Sequence, residues 1–160
     1  MKKVGVAKLV GVLYHGAGSG FVPEKYLRDG NYWHTKLGYY ESIYFARYYN
    51  YNGEHYLIIG NPDKIEEDTI AELKVAFSPK RVKLQREKGE TQANIYAWMA
   101  DFPFHRCDVY SFRENKLMFG EVRETDTEKA EADVHEGIRL LKKVKSVHLR
   151  RAAGKTLEGC

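Results

Sequence analysis

Cysteine is nearly missing from this chain of 160 residues: Cys107 and Cys160 are the only two. They are too few and too far apart for a disulfide framework or a four-cysteine metal site. Proline is scarce as well, with four residues, and no Gly/Ser/Pro-rich stretch or internal repeat divides the chain. One domain is therefore expected over residues 1–147, followed by a basic tail at 148–160 that lacks periodicity and reads as disordered. No apolar run approaches the ~18–20 residues of a membrane span, which argues against a membrane partner. The start, Met1-Lys2-Lys3, leads into an apolar stretch broken by Lys8 and makes a poor signal peptide, so a soluble cytoplasmic domain is the default expectation. Charge of one sign is also lacking. Twenty-six Lys and Arg against 22 Asp and Glu leave only +4, which permits an anionic partner without demonstrating one. With 43% hydrophobic and 30% charged residues, the chain is neither low-complexity nor globally disordered.

Aromatic residues are what the chain has in abundance: twelve Tyr, seven Phe and two Trp. Positive charge, modest in sum, is concentrated in two places. Residues 79–88 carry Lys80, Arg81, Lys83, Arg86 and Lys88 against the single acid Glu87, and residues 139–155 carry seven Lys and Arg with no acid. Such clusters attract phosphate backbones by releasing counterions, and they also occur as solvated helix faces.

Residues 4–14 fit a strand or a short helix, and a glycine-rich turn follows at Gly16, Gly18 and Gly20. From Glu24 to Tyr51 apolar residues recur at spacings of three and four, which predicts one or two helices with breaks near Gly30 and Gly38. Within that stretch Tyr40, Tyr44 and Tyr48 repeat every four residues, the pattern of a helix packing a stripe of rings on a sheet. Strands are predicted at 56–60, 69–77, 106–112 and 117–123, and helices at 91–100 and from a capping box at Thr125-Asp126-Thr127-Glu128. This order gives an α/β fold with a central mixed sheet flanked by helices.

The chemistry collects around Asp63, Glu72 and Lys74. A tight turn centred between Glu67 and Asp68 sets residue 63 opposite residue 72. Directly opposed residues have Cβ atoms ~4.5–5.5 Å apart, and Lys74 shares their face. Two carboxylates this close need either a proton or a divalent cation between them. A lysine beside such a site can orient water or stabilise charge on a phosphate.

Gly60-Asn61-Pro62-Asp63, then eight residues, then Glu72-Leu73-Lys74, resembles the core of the PD-(D/E)XK nuclease superfamily. Gln92-Ala93-Asn94-Ile95-Tyr96 is similar to the Q-x-x-x-Y motif of its RecB-like exonuclease branch, which includes nucleases of CRISPR adaptation. Gly30-Asn31-Tyr32-Trp33-His34 resembles that branch's G-x-x-x-H. The resemblance spans roughly residues 28–145 and implies a restriction-endonuclease-like core. It implies that Asp63, Glu72 and the Leu73 carbonyl hold Mg²⁺ or Mn²⁺, with His34 a further ligand and His55 or Glu41 as rivals for that place. Lys74 would position or activate water, Gln92 would orient the site, and Tyr96 would steady its helix or touch DNA. The implied function is metal-dependent hydrolysis of DNA, as an exonuclease on single strands or duplex ends, with Lys80, Arg81, Lys83, Arg86 and Lys88 gripping the backbone. An iron–sulfur cluster is excluded by the cysteine count, and a helicase or other DNA-processing partner would be a separate chain.

Three other readings compete. A catalytically weak nucleic-acid-binding module would keep the same fold. Asp108 with Glu121-Val122-Arg123 copies the acidic pattern but offers an arginine, which stays protonated. His15 with Tyr44 faintly resembles the start of the ADP-ribosyltransferase H-Y-E pattern, and no convincing catalytic Glu follows.

Overall fold

The structure is a computed structural model that describes residues 1–16 and 24–157; Gly18 and Gly20 of the expected glycine-rich turn lie outside the described residues. The first segment is both things the pattern allows: strand β1 (Lys2–Gly5) runs into helix α1 (Val6–His15). Helix α2 (Glu24–Lys36) passes through Gly30 without a break and stops at Gly38, whose φ of 77° closes the helix end. There the Tyr39 N–H bonds back to the His34 carbonyl at 2.8 Å, the six-residue return of a Schellman-type cap.

The expected second helix is absent. Residues 45–51 form strand β2 (Phe45–Tyr51), which pairs antiparallel with β3 (Glu54–Gly60) through a turn at Asn52-Gly53. Both turn residues have positive φ, 49° and 85°, the geometry that Asn-Gly favours in two-residue hairpins. The tyrosines therefore do not form a buried helical stripe. Tyr40 and Tyr44 lie on the preceding loop at 77% and 75% exposure, and Tyr48 stands on β2 at 53%.

The strands divide into two sheets rather than one. The first has the order β1-β3-β2, with β1 parallel to β3. The second has the order β4-β5-β6-β7, built from β4 (Lys64–Glu66), β5 (Thr69–Ala76), β6 (Phe104–Ser111) and β7 (Lys116–Met118). A short β8 (Arg123–Glu124) also pairs with β6. Only β5 and β6 are parallel in this sheet. The strand expected at 117–123 thus splits in two. Between its halves Gly120 lies so close to β6 that an added Cβ would stand 2.0 Å from the Cys107 carbonyl oxygen. The fold class is α/β, with mixed sheets flanked by four helices.

Helix α3 (Val82–Met99) starts after a single 3-10 turn at Pro79–Arg81 and is buried all round from Thr91 to Met99. A helix without an exposed face must satisfy its polar side chains internally. Thr91 Oγ1 lies 2.7 Å from the Tyr14 hydroxyl, and Asn94 exchanges two 2.9 Å bonds with the Asp126 backbone. Asp126, rather than Thr125, caps helix α4 (Thr127–Leu157), because its Oδ1 accepts the Lys129 N–H at 2.9 Å. The α4 backbone continues through Leu157, beyond Val147 where helical periodicity is lost, and residues 158–160 lie outside the described residues. Leu9, Val10, Ile58, Ile95, Val134 and Ile138 join α1, α3, α4 and the first sheet in one core. Among the described residues no helix is long and apolar enough to cross a membrane.

Asn94 thus ties the buried half of α3 to the start of α4. Asn94→Ala should cost about 1–2 kcal/mol, or ~2–8 °C in Tm by thermal denaturation, because the Asp126 N–H and C=O lose their partners at a part-buried contact.

Candidate active site

The chain crosses from the first sheet to the second at Gly60-Asn61-Pro62-Asp63, and three features build the crossing. A Cβ on Gly60 would lie 2.6 Å from the Tyr96 ring, so only glycine lets β3 end against α3. Asn61 Nδ2 donates to the carbonyls of Glu41 and Ile43 at 2.6 and 2.7 Å. Pro62 has no N–H and cannot extend the β3 ladder. Asp63 is left at the start of β4. There the register is the expected one: Lys64 faces Ala71, Ile65 faces Ile70 and Glu66 faces Thr69, around a turn where Glu67 takes φ 49°. Continued by one pair, it sets Asp63 opposite Glu72.

Strand β5 is covered on both sides. Leu73 and Ala71 pack under Tyr39, Trp33 and Leu37, while Ile70 on the other face joins the α3 core. Glu72 shares the α3 face and has no solvent exposure. Its Oε1 accepts the Asp63 N–H at 3.1 Å, whereas its buried Oε2 has no hydrogen-bond partner and lies 3.5 Å from Lys74 Nζ. Burial first, then the charge of Asp63, pushes the Glu72 pKa well above the ordinary glutamate value. For Asp63, burial works in the same upward direction. The hydrogen bond and charge of His34, with the Lys74 charge, outweigh it and hold the carboxylate ionised. The two carboxyls are thus shifted in opposite directions, Glu72 up and Asp63 down.

Asp63 Oδ2 accepts the Leu73 N–H at 2.8 Å and lies 3.1 Å from His34 Nε2. Because the N–H and C=O of one strand residue point to the same side, the Leu73 carbonyl shares the strand edge that faces Asp63. His34 Nδ1 lies 2.7 Å from the Gly30 carbonyl, which fixes Nδ1 as a donor and turns Nε2 toward Asp63. Burial lowers the His34 pKa, but the bond and charge of Asp63 overcome it and the net shift is upward. Glu41 lines the same cleft of about 290 Å³ as His34, Asn61 and Asp63, with Tyr40 at its wall. His55 is elsewhere, hydrogen-bonded to Tyr48 on the first sheet.

Lys74 Nζ donates to Gln92 Oε1 at 2.7 Å, so the two motifs meet side chain to side chain. Tyr96, one turn further along α3, is buried against Gly60 with Gln92 as a hydrogen-bond neighbour. It supports the crossing and does not present a ring to solvent. Asn61 is the positioning residue that sequence reasoning missed. Its place directly before Pro62, where the sheet pairing must change, was the available signal.

The basic group does not act as a unit. Arg86 is a brace, its guanidinium donating to the carbonyls of Cys107 at 2.7 Å and Met118 at 3.3 Å. Lys80, Arg81 and Lys83 are exposed, and Lys88 is half-buried. The decoy pattern is also spoken for. Asp108 is buried and accepts bonds from Tyr39 at 2.5 Å, Gly120 N–H at 2.8 Å and Arg106, while Glu121 is exposed beside Arg123. Among the described residues, no hydrogen bond or ring contact joins His15 to Tyr44.

Among the described residues no three His, Cys, Asp or Glu side chains already converge on one point. The donor chemistry nevertheless suits a hard divalent cation. Two carboxylates face each other, one of their oxygens is buried without a partner, and an oriented imidazole stands alongside. The residues fit Mg²⁺ or Mn²⁺ at Asp63, Glu72 and the Leu73 carbonyl, with His34 beside them.

No protein-family model matches the chain, and no curated protein matches it. Several chains of solved structures match it. One, described as the crystal structure of SSO0001, superimposes with a TM-score of 0.62 at 19% identity over 88% of this chain and 77% of that one. At that identity the likeness concerns the fold alone.

The charge state of Glu72 generates a stability prediction. A raised pKa in the fold means that the native state binds the extra proton, so this group's contribution falls as pH rises above its ordinary 4.5. Glu72→Gln removes that term. The metal-free variant should melt ~2–8 °C above the native protein at pH 8, for about 1–2 kcal/mol, with the gap closing toward pH 4. Mn²⁺ should raise the Tm of the native protein and leave the variant unmoved.

Proposed function

We propose that the protein is a metal-dependent deoxyribonuclease with a restriction-endonuclease-like core, acting as an exonuclease on single strands or ends. The observation that carries this reading is the buried Oε2 of Glu72 beside Asp63, which has no hydrogen-bond partner among the described residues, with Lys74 Nζ 3.5 Å away and hydrogen-bonded to Gln92 instead. When bound, Mg²⁺ or Mn²⁺ would supply charge neutralisation and Lewis acidity at a phosphodiester. The chain's own residues supply the rest. Asp63 and Glu72 present oxygens from two neighbouring strands. Gln92 accepts a hydrogen bond from the Lys74 ammonium and so aims its other donors at the water or the phosphate oxygen. His34, fixed through Gly30, holds the Asp63 carboxylate in place by donating from Nε2, and would offer that nitrogen as a ligand on giving up its proton.

A second reading, a module that binds nucleic acid without cutting it, draws on the His34–Asp63 contact, which occupies an oxygen that a cation would need.

Hydrolysis of labelled single- and double-stranded DNA with Mg²⁺ or Mn²⁺ separates the two. Asp63→Ala should fall to background. Lys74→Ala should lose ~10²–10³-fold in kcat, and Gln92→Ala should lose less, because Lys74 is still present but unaimed. Equal cleavage by the native protein and both Asp63→Ala and Lys74→Ala would contradict the nuclease reading. Binding that persists in EDTA, with no cleavage under any metal, would establish the module instead.

A further inference from the structure

Among the described residues Lys88 is a half-buried ammonium without a counter-charge. It leaves α3 directly before Gly89, where helix and sheet are so close that an added Cβ would stand 2.1 Å from Cys107 Sγ and 2.9 Å from Lys74 Cγ. Its Nζ lies 3.1 Å from Nε2 of His15, on the last turn of α1, and among the described residues it forms no ion pair. Its electrostatic surroundings are one-sided. Burial and then the Lys74 charge lower the Lys88 pKa, with no carboxylate acting against them. Burial, Lys88 and then Arg81 lower that of His15, which is therefore neutral at pH 7 and accepts a hydrogen bond from Lys88. The neighbouring cations differ in each respect: Arg86 is bound to two carbonyls, and Lys74 has both Glu72 and Gln92.

A half-buried ammonium that faces the charge of Lys74 on one side and a neutral ring on the other, with no ion pair among the described residues, is a poor structural device. The arrangement is stabilised when an anion enters. We propose that Lys88 and His15, with Arg81 next to them, seat a phosphate group of the substrate strand adjacent to the phosphodiester that faces Asp63, Glu72 and Lys74. Lys88 supplies the charge, and the ring of His15 directs its ammonium. Inference from Lys88 to a phosphate rests on the nuclease reading only for the identity of the polymer. The phosphate has two possible sources, an internal diester or the monoester at a strand end.

The test measures binding apart from cleavage. Short fluorescent single strands carrying a 5′-phosphate, a 3′-phosphate or neither are titrated, over a range of salt, against Asp63→Ala protein and the same protein with Lys88→Ala, His15→Ala or Lys88→Arg. Lys3→Ala, at an exposed position on β1, supplies the reference for a charge lost elsewhere. Lys88→Ala should weaken binding roughly 5–10-fold at moderate salt and make the slope of log K against log salt shallower by about 0.7. His15→Ala, which leaves the charge in place, should weaken binding with little change in slope, and Lys88→Arg should restore most of the affinity. A loss shared by all three strands assigns the seat to an internal diester, and a loss confined to one phosphorylated end assigns it to that monoester. If Lys88→Ala and His15→Ala bind like the Lys3→Ala reference, the proposal is overturned. Cleavage by the native protein, followed in parallel, reports on the nuclease reading separately, since the binding arms need no turnover.

Discussion

A carboxylate with one oxygen sealed from water and unbonded costs several kcal/mol if it is ionised, and Glu72 stands in that position on a strand packed from both faces. Around it the structure is arranged to keep the cost local. His34 and the Leu73 N–H favour the charged form of Asp63, whereas burial favours the neutral form of Glu72. Lys74 approaches but is drawn off by Gln92. A divalent cation would remove the conflict by letting both carboxylates ionise.

Holding Asp63 opposite Glu72 is a task for the backbone. Two sheets meet at a four-residue crossing, and each residue of it has a separate function. Gly60 admits the Tyr96 ring, Asn61 ties in the loop carrying Glu41 and Ile43, Pro62 ends one ladder, and Asp63 opens the next. Helix α3 then serves both sides of the crossing, bracing it with Tyr96 and reaching Lys74 with Gln92 one turn earlier. Packing and chemistry therefore share residues, and a helix buried all round over its second half can still carry polar side chains.

The candidate site was more legible in the sequence than the fold around it. The hairpin register follows from counting along a two-residue turn, and the structure has that register although no glycine marks the turn. Gln92 and Tyr96 could be placed because helical spacing puts them on one face. The stretch from Glu24 to Tyr51 could not be read the same way. Its tyrosines match a period of four as well as alternation, and Asn52-Gly53, the strongest local hairpin signal, was passed over. Counting charge likewise could not separate Arg86, which braces two carbonyls, from Lys88, which has no partner carboxylate among the described residues. That difference arises from the approach of α3 to β6 at Gly89, a tertiary fact. The division into two sheets was out of reach for the same reason, since pairing partners are not written in local pattern.

We propose that Asp63 and Glu72 form a cation seat. Its most direct test is crystals grown or soaked with Mn²⁺ and examined by anomalous diffraction. One strong peak between the Asp63 and Glu72 carboxylates, with the Leu73 carbonyl beside it, is the predicted result. A protein that cleaves DNA with Mn²⁺ while showing no peak there, or a peak only at another cluster, would contradict the claim.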